Sequence, residues 1–230
     1  MAAQTLLYIV AFSAVGVLLA TLGSPGKELA PVEVTRIALA AQFLAYVAVL
    51  FFMYRLVAKR YRSNFWEALR WNWPERHRLM AYLAGGTMLA LAVQISSALL
   101  PIPRSLPIYK FFQDTNAAYL MAVFGIAVAP FVEELFFRGF LYPVLARRAG
   151  VTLGVLLTSA AFAVVHGAQL AHHWAPLLML FLVGLLFTVV RARTGSVAAP
   201  YLLHAAYNFT LFFTLYLATD RFRQMERMLE

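Results

Sequence analysis

The chain is a succession of long apolar runs separated by short polar ones. A helix needs about 20 mostly apolar residues to cross the hydrocarbon core of a bilayer. Seven runs meet or approach that length: Leu6–Leu22, Val34–Ala58, Leu79–Leu100, Ala117–Tyr142, Thr152–Leu170, Ala175–Val190 and Val197–Ala218. The pattern predicts an all-α fold, a polytopic transmembrane helix bundle of about seven spans, with six to eight as the range because the last runs are short or interrupted by glycine. The first run lacks the basic flank of a signal peptide and reads as an uncleaved helix. Residues 1–230 read as a single membrane-embedded domain. Within it, 1–116 holds the N-terminal spans and a basic loop, 117–218 the polar-bearing core, and 219–230 a tail.

Composition excludes the soluble alternatives. Hydrophobic residues make up 63% and charged residues 13% of the chain, against roughly 45–50% and 25% in globular domains. The absence of cysteine removes disulfides, thiolate metal sites, iron–sulfur clusters and a cysteine nucleophile. The net charge of +9 changes the picture only through its placement. Arg55, Lys59, Arg60, Arg62, Arg70, Arg76 and Arg78 crowd one loop with only Glu67 and Glu75 as acids, and Arg147–Arg148 and Arg191/Arg193 mark two more loops. The positive-inside rule puts these loops and the N-terminus in the cytoplasm, and with seven spans the tail ends outside. The charge is therefore orientation charge, and no nucleic-acid partner is expected. Phe65, Trp66, Trp71 and Trp73 interleave with the arginines as an interfacial amphipathic segment, read as an aromatic belt anchor. Short loops and an alanine-rich chain read as bacterial, which places the protein in the inner (cytoplasmic) membrane.

Ionisable residues at membrane depth are costly and point to function. They are few: Glu133, Glu134 and Arg138 in the fourth run, His166 in the fifth, and His204 with Asn208 in the seventh. Glu134 and Arg138 share a helix face, acid first, the favourable order for pairing. Glu133 points about 100° away, toward Phe136 and Phe137, with no cation on its own helix. A lone carboxylate in an apolar wall is the setting of a general base. The blander alternative is that both acids pair with Arg138 and a distant histidine. His204 and Asn208, one turn apart, present donors suited to a developing oxyanion. His172-His173 falls in a short outer loop and reads as solvated.

Elimination narrows the chemistry. There is no Gly-x-Ser-x-Gly, no His-Glu-x-x-His and no phosphate-cradling glycine loop, and both aspartates, Asp114 and Asp220, lie outside the runs. What remains is water activated by glutamate, or a metal held by glutamate and histidine. Glu133-Glu134-Leu135-Phe136-Phe137-Arg138 resembles the Glu-Glu-x-x-x-Arg motif of the CPBP intramembrane proteases, which include the type II CAAX prenyl endopeptidases and the bacteriocin-processing or Abi proteins. Phe162-x-x-x-His166 and His204-Ala-Ala-Tyr-Asn208 resemble that family's second and third motifs, in the same order. The resemblance implies that 117–218 is a protease core acting on a membrane-associated peptide or protein. It implies that Glu133 and His166 activate water, that His204 and Asn208 hold the oxyanion, and that Glu134 and Arg138 organise the site. It implies no cofactor; zinc at Glu133, His166 and His204 is the alternative. A non-catalytic immunity or scaffold protein of the same family is the second functional reading.

Overall fold

A computed structural model of the chain describes residues 30–103, 106–112 and 114–225. The predicted first span, Leu6–Leu22, lies outside the described residues. So do the last five residues of the tail. Among the described residues the secondary structure is helical throughout. The helices are α1 (Pro31–Tyr54), α2 (Phe65–Leu69), α3 (Arg76–Ser97), α4 (Thr115–Val123), α5 (Ala129–Glu134), α6 (Tyr142–Val165), α7 (Trp174–Thr194) and α8 (Ala198–Ala218).

Four stretches are long and apolar enough to cross a membrane: Val32–Arg60, Arg76–Ser97, Thr115–Val165 and Trp174–Thr194. The chain is an integral membrane protein. Among the described residues the expected count of about seven is not reached by this measure: the first predicted run lies outside them, and two sequence features account for the rest. Thr115–Val165 runs for 51 residues, about 77 Å if straight, far more than a core about 30 Å thick. It turns back at Gly150, whose φ of 84° and ψ of 163° belong to a region that only glycine occupies readily. The turn falls between the two predicted runs, Ala117–Tyr142 and Thr152–Leu170, which share this one helical stretch and reverse within it. The other feature is α8, which carries Pro200, His204 and Asn208 and is too polar to pass on hydropathy although it is helical over the predicted run.

Outward faces of α1 and α3 are apolar and bare, with Leu44 at 61%, Phe51 at 61%, Met88 at 70% and Ile95 at 70% exposure, as lipid contact requires. Inside, Ala90 of α3, Val183 and Phe187 of α7, and Leu203 and Tyr207 of α8 form one core cluster. The approach of α3 to α8 is set by Gly86: a Cβ there would lie 2.2 Å from the Leu203 carbonyl oxygen and 2.8 Å from the Ala206 methyl. Leu203 immediately precedes His204, so this contact also fixes the height of a candidate site residue. Gly86→Ala should push α8 away, cost about 1–3 kcal/mol by overpacking, and lower both the unfolding midpoint in detergent and any activity of the site.

The basic loop docks onto the bundle. Asn64 caps α2 by accepting from the Trp66 and Glu67 amides at 3.0 and 3.2 Å. Beyond it, the Val197 amide donates to the Arg70 carbonyl at 3.0 Å and the Ser196 hydroxyl to the Asn72 carbonyl. Leu69 is buried with Val49, Met53, Leu135 and Val197. Trp66 and Trp73 are exposed, as a belt anchor would be, but Trp71 packs on Phe131 and Tyr201. The difference arises because α2 is a single turn and the extended segment after it is stitched to the α7–α8 corner.

Candidate active site

The three motifs converge in one cluster. Glu133 and Glu134 end α5, and a wide turn, Leu135–Leu141, follows them; the Tyr142 amide there bonds the Phe137 carbonyl five residues back. Such openings of the helix recur at functional sites. Arg138 sits within this turn and is fully buried, as is Glu134. Its Nη1 donates to Glu134 Oε1 at 2.8 Å, the pairing expected from their spacing. Nη2 donates to the Gly184 carbonyl at 3.0 Å and Nε to the Thr188 hydroxyl at 3.2 Å. The guanidinium lies 4.6 Å from the Phe162 ring centre and 5.4 Å from that of Phe187. Charge, donors and aromatic faces together make the buried cation tolerable.

Both histidines are oriented by one ring nitrogen and leave the other facing Glu133. His166 Nδ1 lies 2.7 Å from the Phe162 carbonyl. A carbonyl only accepts, so Nδ1 carries the proton and Nε2 is the site-facing atom. His204 Nδ1 lies 2.9 Å from Glu134 Oε1, the same oxygen that Arg138 holds. His166 Nε2 is 3.9 Å from Glu133 Oε1, and His204 Nε2 is 3.9 Å from Glu133 Oε2. Phe162 explains its own place four residues before His166: its carbonyl orients one histidine, and its ring meets both imidazoles and Arg138. Among the described residues no three His, Asp or Glu side chains form a group able to hold a metal ion.

Glu133 is not the lone carboxylate that intrahelical spacing suggests. The Tyr46 hydroxyl, from α1, donates to its Oε1 at 2.8 Å. Tyr46 stacks on Phe124 with ring centres 5.7 Å apart, and Phe124 begins a second wide turn, Phe124–Val128. Asn208 is tied to that turn through Nδ2, which donates to the Gly125 carbonyl at 2.7 Å, and makes no bond to the glutamates. Five of the six expected residues therefore form one hydrogen-bonded or ion-paired cluster, and Asn208 stands one turn beyond it. Arg191, read as a loop charge, is instead buried in the last turn of α7, and its Nε donates to the Arg138 carbonyl at 3.0 Å. The wide turn frees that carbonyl from the ordinary ladder, which is why a side chain takes it. His172 and His173 are exposed, as expected.

Residues 115–210 match the family model described as type II CAAX prenyl endopeptidase, Rce1-like. Over these residues the chain is similar to that family, which is one of proteases, and the matched stretch contains all six expected residues, from Glu133 to Asn208. An uncharacterized 24.3 kDa protein of Escherichia coli is 40% identical over 79 residues, a match that spans 34% of this chain and 36% of that relative. No solved structure matches the chain. Tyr46 lies outside the matched residues, so α1 completes the surroundings of Glu133 from the N-terminal part of the chain.

Proposed function

We propose that the protein is an intramembrane endopeptidase that hydrolyses a peptide bond in a membrane-associated protein or peptide, such as a C-terminal anchor, a leader or a quorum peptide. The observation that carries this reading is the convergence of two imidazole Nε2 atoms on one carboxylate, each at 3.9 Å. That spacing is too long for direct hydrogen bonds and suits a water or a reacting carbonyl oxygen held between the groups. In the proposed reaction Glu133 takes a proton from water while His166 Nε2 orients it, and the oxygen adds to the peptide carbonyl carbon. His204, whose Nδ1–H faces Glu134, donates through Nε2 as an imidazolium in this scheme, and it and the second amide N–H of Asn208 receive the developing oxyanion. The carbon–nitrogen bond then breaks, and the proton on Glu133 passes to the leaving amine. Glu134 and Arg138 touch no substrate in this scheme; they hold His204.

Basic loops support an inner-membrane location in a bacterium with the N-terminus in the cytoplasm. The chemistry uses no cofactor, and Tyr46 already occupies Glu133 Oε1. Chelation by EDTA or phenanthroline should leave cleavage unchanged; loss of activity restored by zinc would move the function to the metal alternative. Tyr46→Phe should lower kcat about tenfold to hundredfold, the range for a hydrogen bond to a charged group, with little change in KM. The decisive test is comparative N- and C-terminal peptide profiling of membranes from wild-type and Glu133→Gln cells. New termini present only with the wild type would identify the substrate. Identical profiles would leave the non-catalytic reading.

A further inference from the structure

Arg191 is only 5% exposed, yet its single protein hydrogen bond is through Nε, to the Arg138 carbonyl. Among the described residues its two Nη groups have no hydrogen-bond partner and no carboxylate lies within ion-pair distance. Its guanidinium stands 5.9 Å from the Tyr142 ring centre, a contact that adds attraction without neutralising the charge. Arg70 acts on it with like charge, and Arg70 Nη1 sits 3.5 Å from where a Cβ of Gly195 would be. Arg70 is itself exposed and without an acidic partner among the described residues.

Backbone bonds place both residues at one corner of the fold. The Arg70 carbonyl accepts from the Val197 amide, and the Gly195 amide donates to the Arg191 carbonyl, so both side chains belong to the stitched α7–α8 corner. Gly195 turns the chain there with a φ of 67°, and within 4 Å of where its Cβ would be only Arg70 Nη1 is found. Two guanidinium groups at one corner, both with unused donors, are a site for an anion that accepts several hydrogen bonds, and phosphate geometry matches that fork. Exposed Trp66 and Trp73 flank the same docked segment, and such rings sit at headgroup level. Basic residues clustered between helices are where anionic headgroups bind.

We propose that Arg70 and Arg191 form a phosphate-binding site at the α7–α8 corner that takes the headgroup of an anionic phospholipid. The site reaches the glutamate–histidine cluster through a short chain of bonds. Arg191 holds the Arg138 carbonyl, Arg138 holds Glu134, and Glu134 holds His204. The binding claim itself does not depend on the proposed hydrolytic activity.

The test is native mass spectrometry of the intact protein released from nanodiscs of phosphatidylcholine with a minor fraction of phosphatidylglycerol. Wild type should retain phosphatidylglycerol over phosphatidylcholine, and Arg70→Gln should weaken that retention about fivefold, the effect of one basic residue near a headgroup. Arg191→Gln should weaken it at least as much. If that variant does not fold, the exposed Arg70→Gln decides alone. A parallel arm adds inorganic phosphate to protein in neutral amphipol: stabilisation there, lost in Arg70→Gln, would assign the same site to free phosphate instead of lipid. No lipid preference with no phosphate effect, or a preference unchanged in a folded Arg70→Gln protein, would overturn the proposal.

Discussion

Glu133→Gln should reduce cleavage by about a thousandfold, within the range for loss of a general base, while leaving the protein folded. The substitution keeps the volume of the side chain and an acceptor oxygen for the Tyr46 hydroxyl, which now lies 2.8 Å from Oε1. It keeps the apolar neighbours and adds no bulk between the two imidazoles. What it removes is the capacity to take a proton from water and return one to the leaving amine. Because Tyr46, His166 and His204 approach from three different helices, each retains its own anchor outside Glu133: Phe124 for Tyr46, the Phe162 carbonyl for His166, and Glu134 for His204. An unchanged size-exclusion profile and unfolding midpoint, with cleavage lost, is the expected combination. A folded Glu133→Gln protein that still cleaves would remove Glu133 from the role of base.

What could be read from the sequence follows the range of the interactions concerned. Apolar runs located every helix from α3 to α8 that lies on a predicted span, because bilayer thickness fixes their length. Glu134 and Arg138 were legible as a pair because four residues bring them to one face, and the bond is there at 2.8 Å. Tyr46 was not legible. It is one of 11 tyrosines, and its bond to Glu133 crosses 87 positions between helices whose packing no local pattern encodes. Arg191 was misread for a related reason. A cation near a helix end in a basic protein counts as topology until the fold shows that it bonds the carbonyl freed by the turn around Arg138. The reversal inside Thr115–Val165 was legible as the break between the fourth and fifth runs around Arg147–Arg148, whereas the positive φ of Gly150 that makes the turn is visible only in the backbone.

Arg138→Met should destabilise the protein by about 3–5 kcal/mol, the cost of stripping the partner from a buried charge. Glu134 has no exposure, and both of its donors, Arg138 Nη1 and His204 Nδ1, meet Oε1, while Oε2 has no hydrogen-bond partner among the described residues. Removing Arg138 thus leaves a carboxylate with a single imidazole in an apolar interior. It also takes one donor each from the Gly184 carbonyl, which keeps the Thr188 hydroxyl, and from the Thr188 oxygen, and leaves a gap between the Phe162 and Phe187 rings. The pair can be separated from these side effects by adding Glu134→Gln. In that double variant no unpaired charge remains, the amide oxygen still accepts from His204, and the amide nitrogen occupies the position where Oε2 already lacked a partner. The double variant should therefore be more stable than Arg138→Met alone, with a coupling of about 2 kcal/mol between the sites, inside the range seen for residues of one network. Unfolding in detergent followed by circular dichroism measures both numbers. Activity should not recover with stability, because His204 would face a neutral amide where a carboxylate had fixed its Nδ1 proton. Equal stability of Arg138→Met and the double variant would mean that the ion pair does not hold the site together, and that the aromatic faces around Arg138 do.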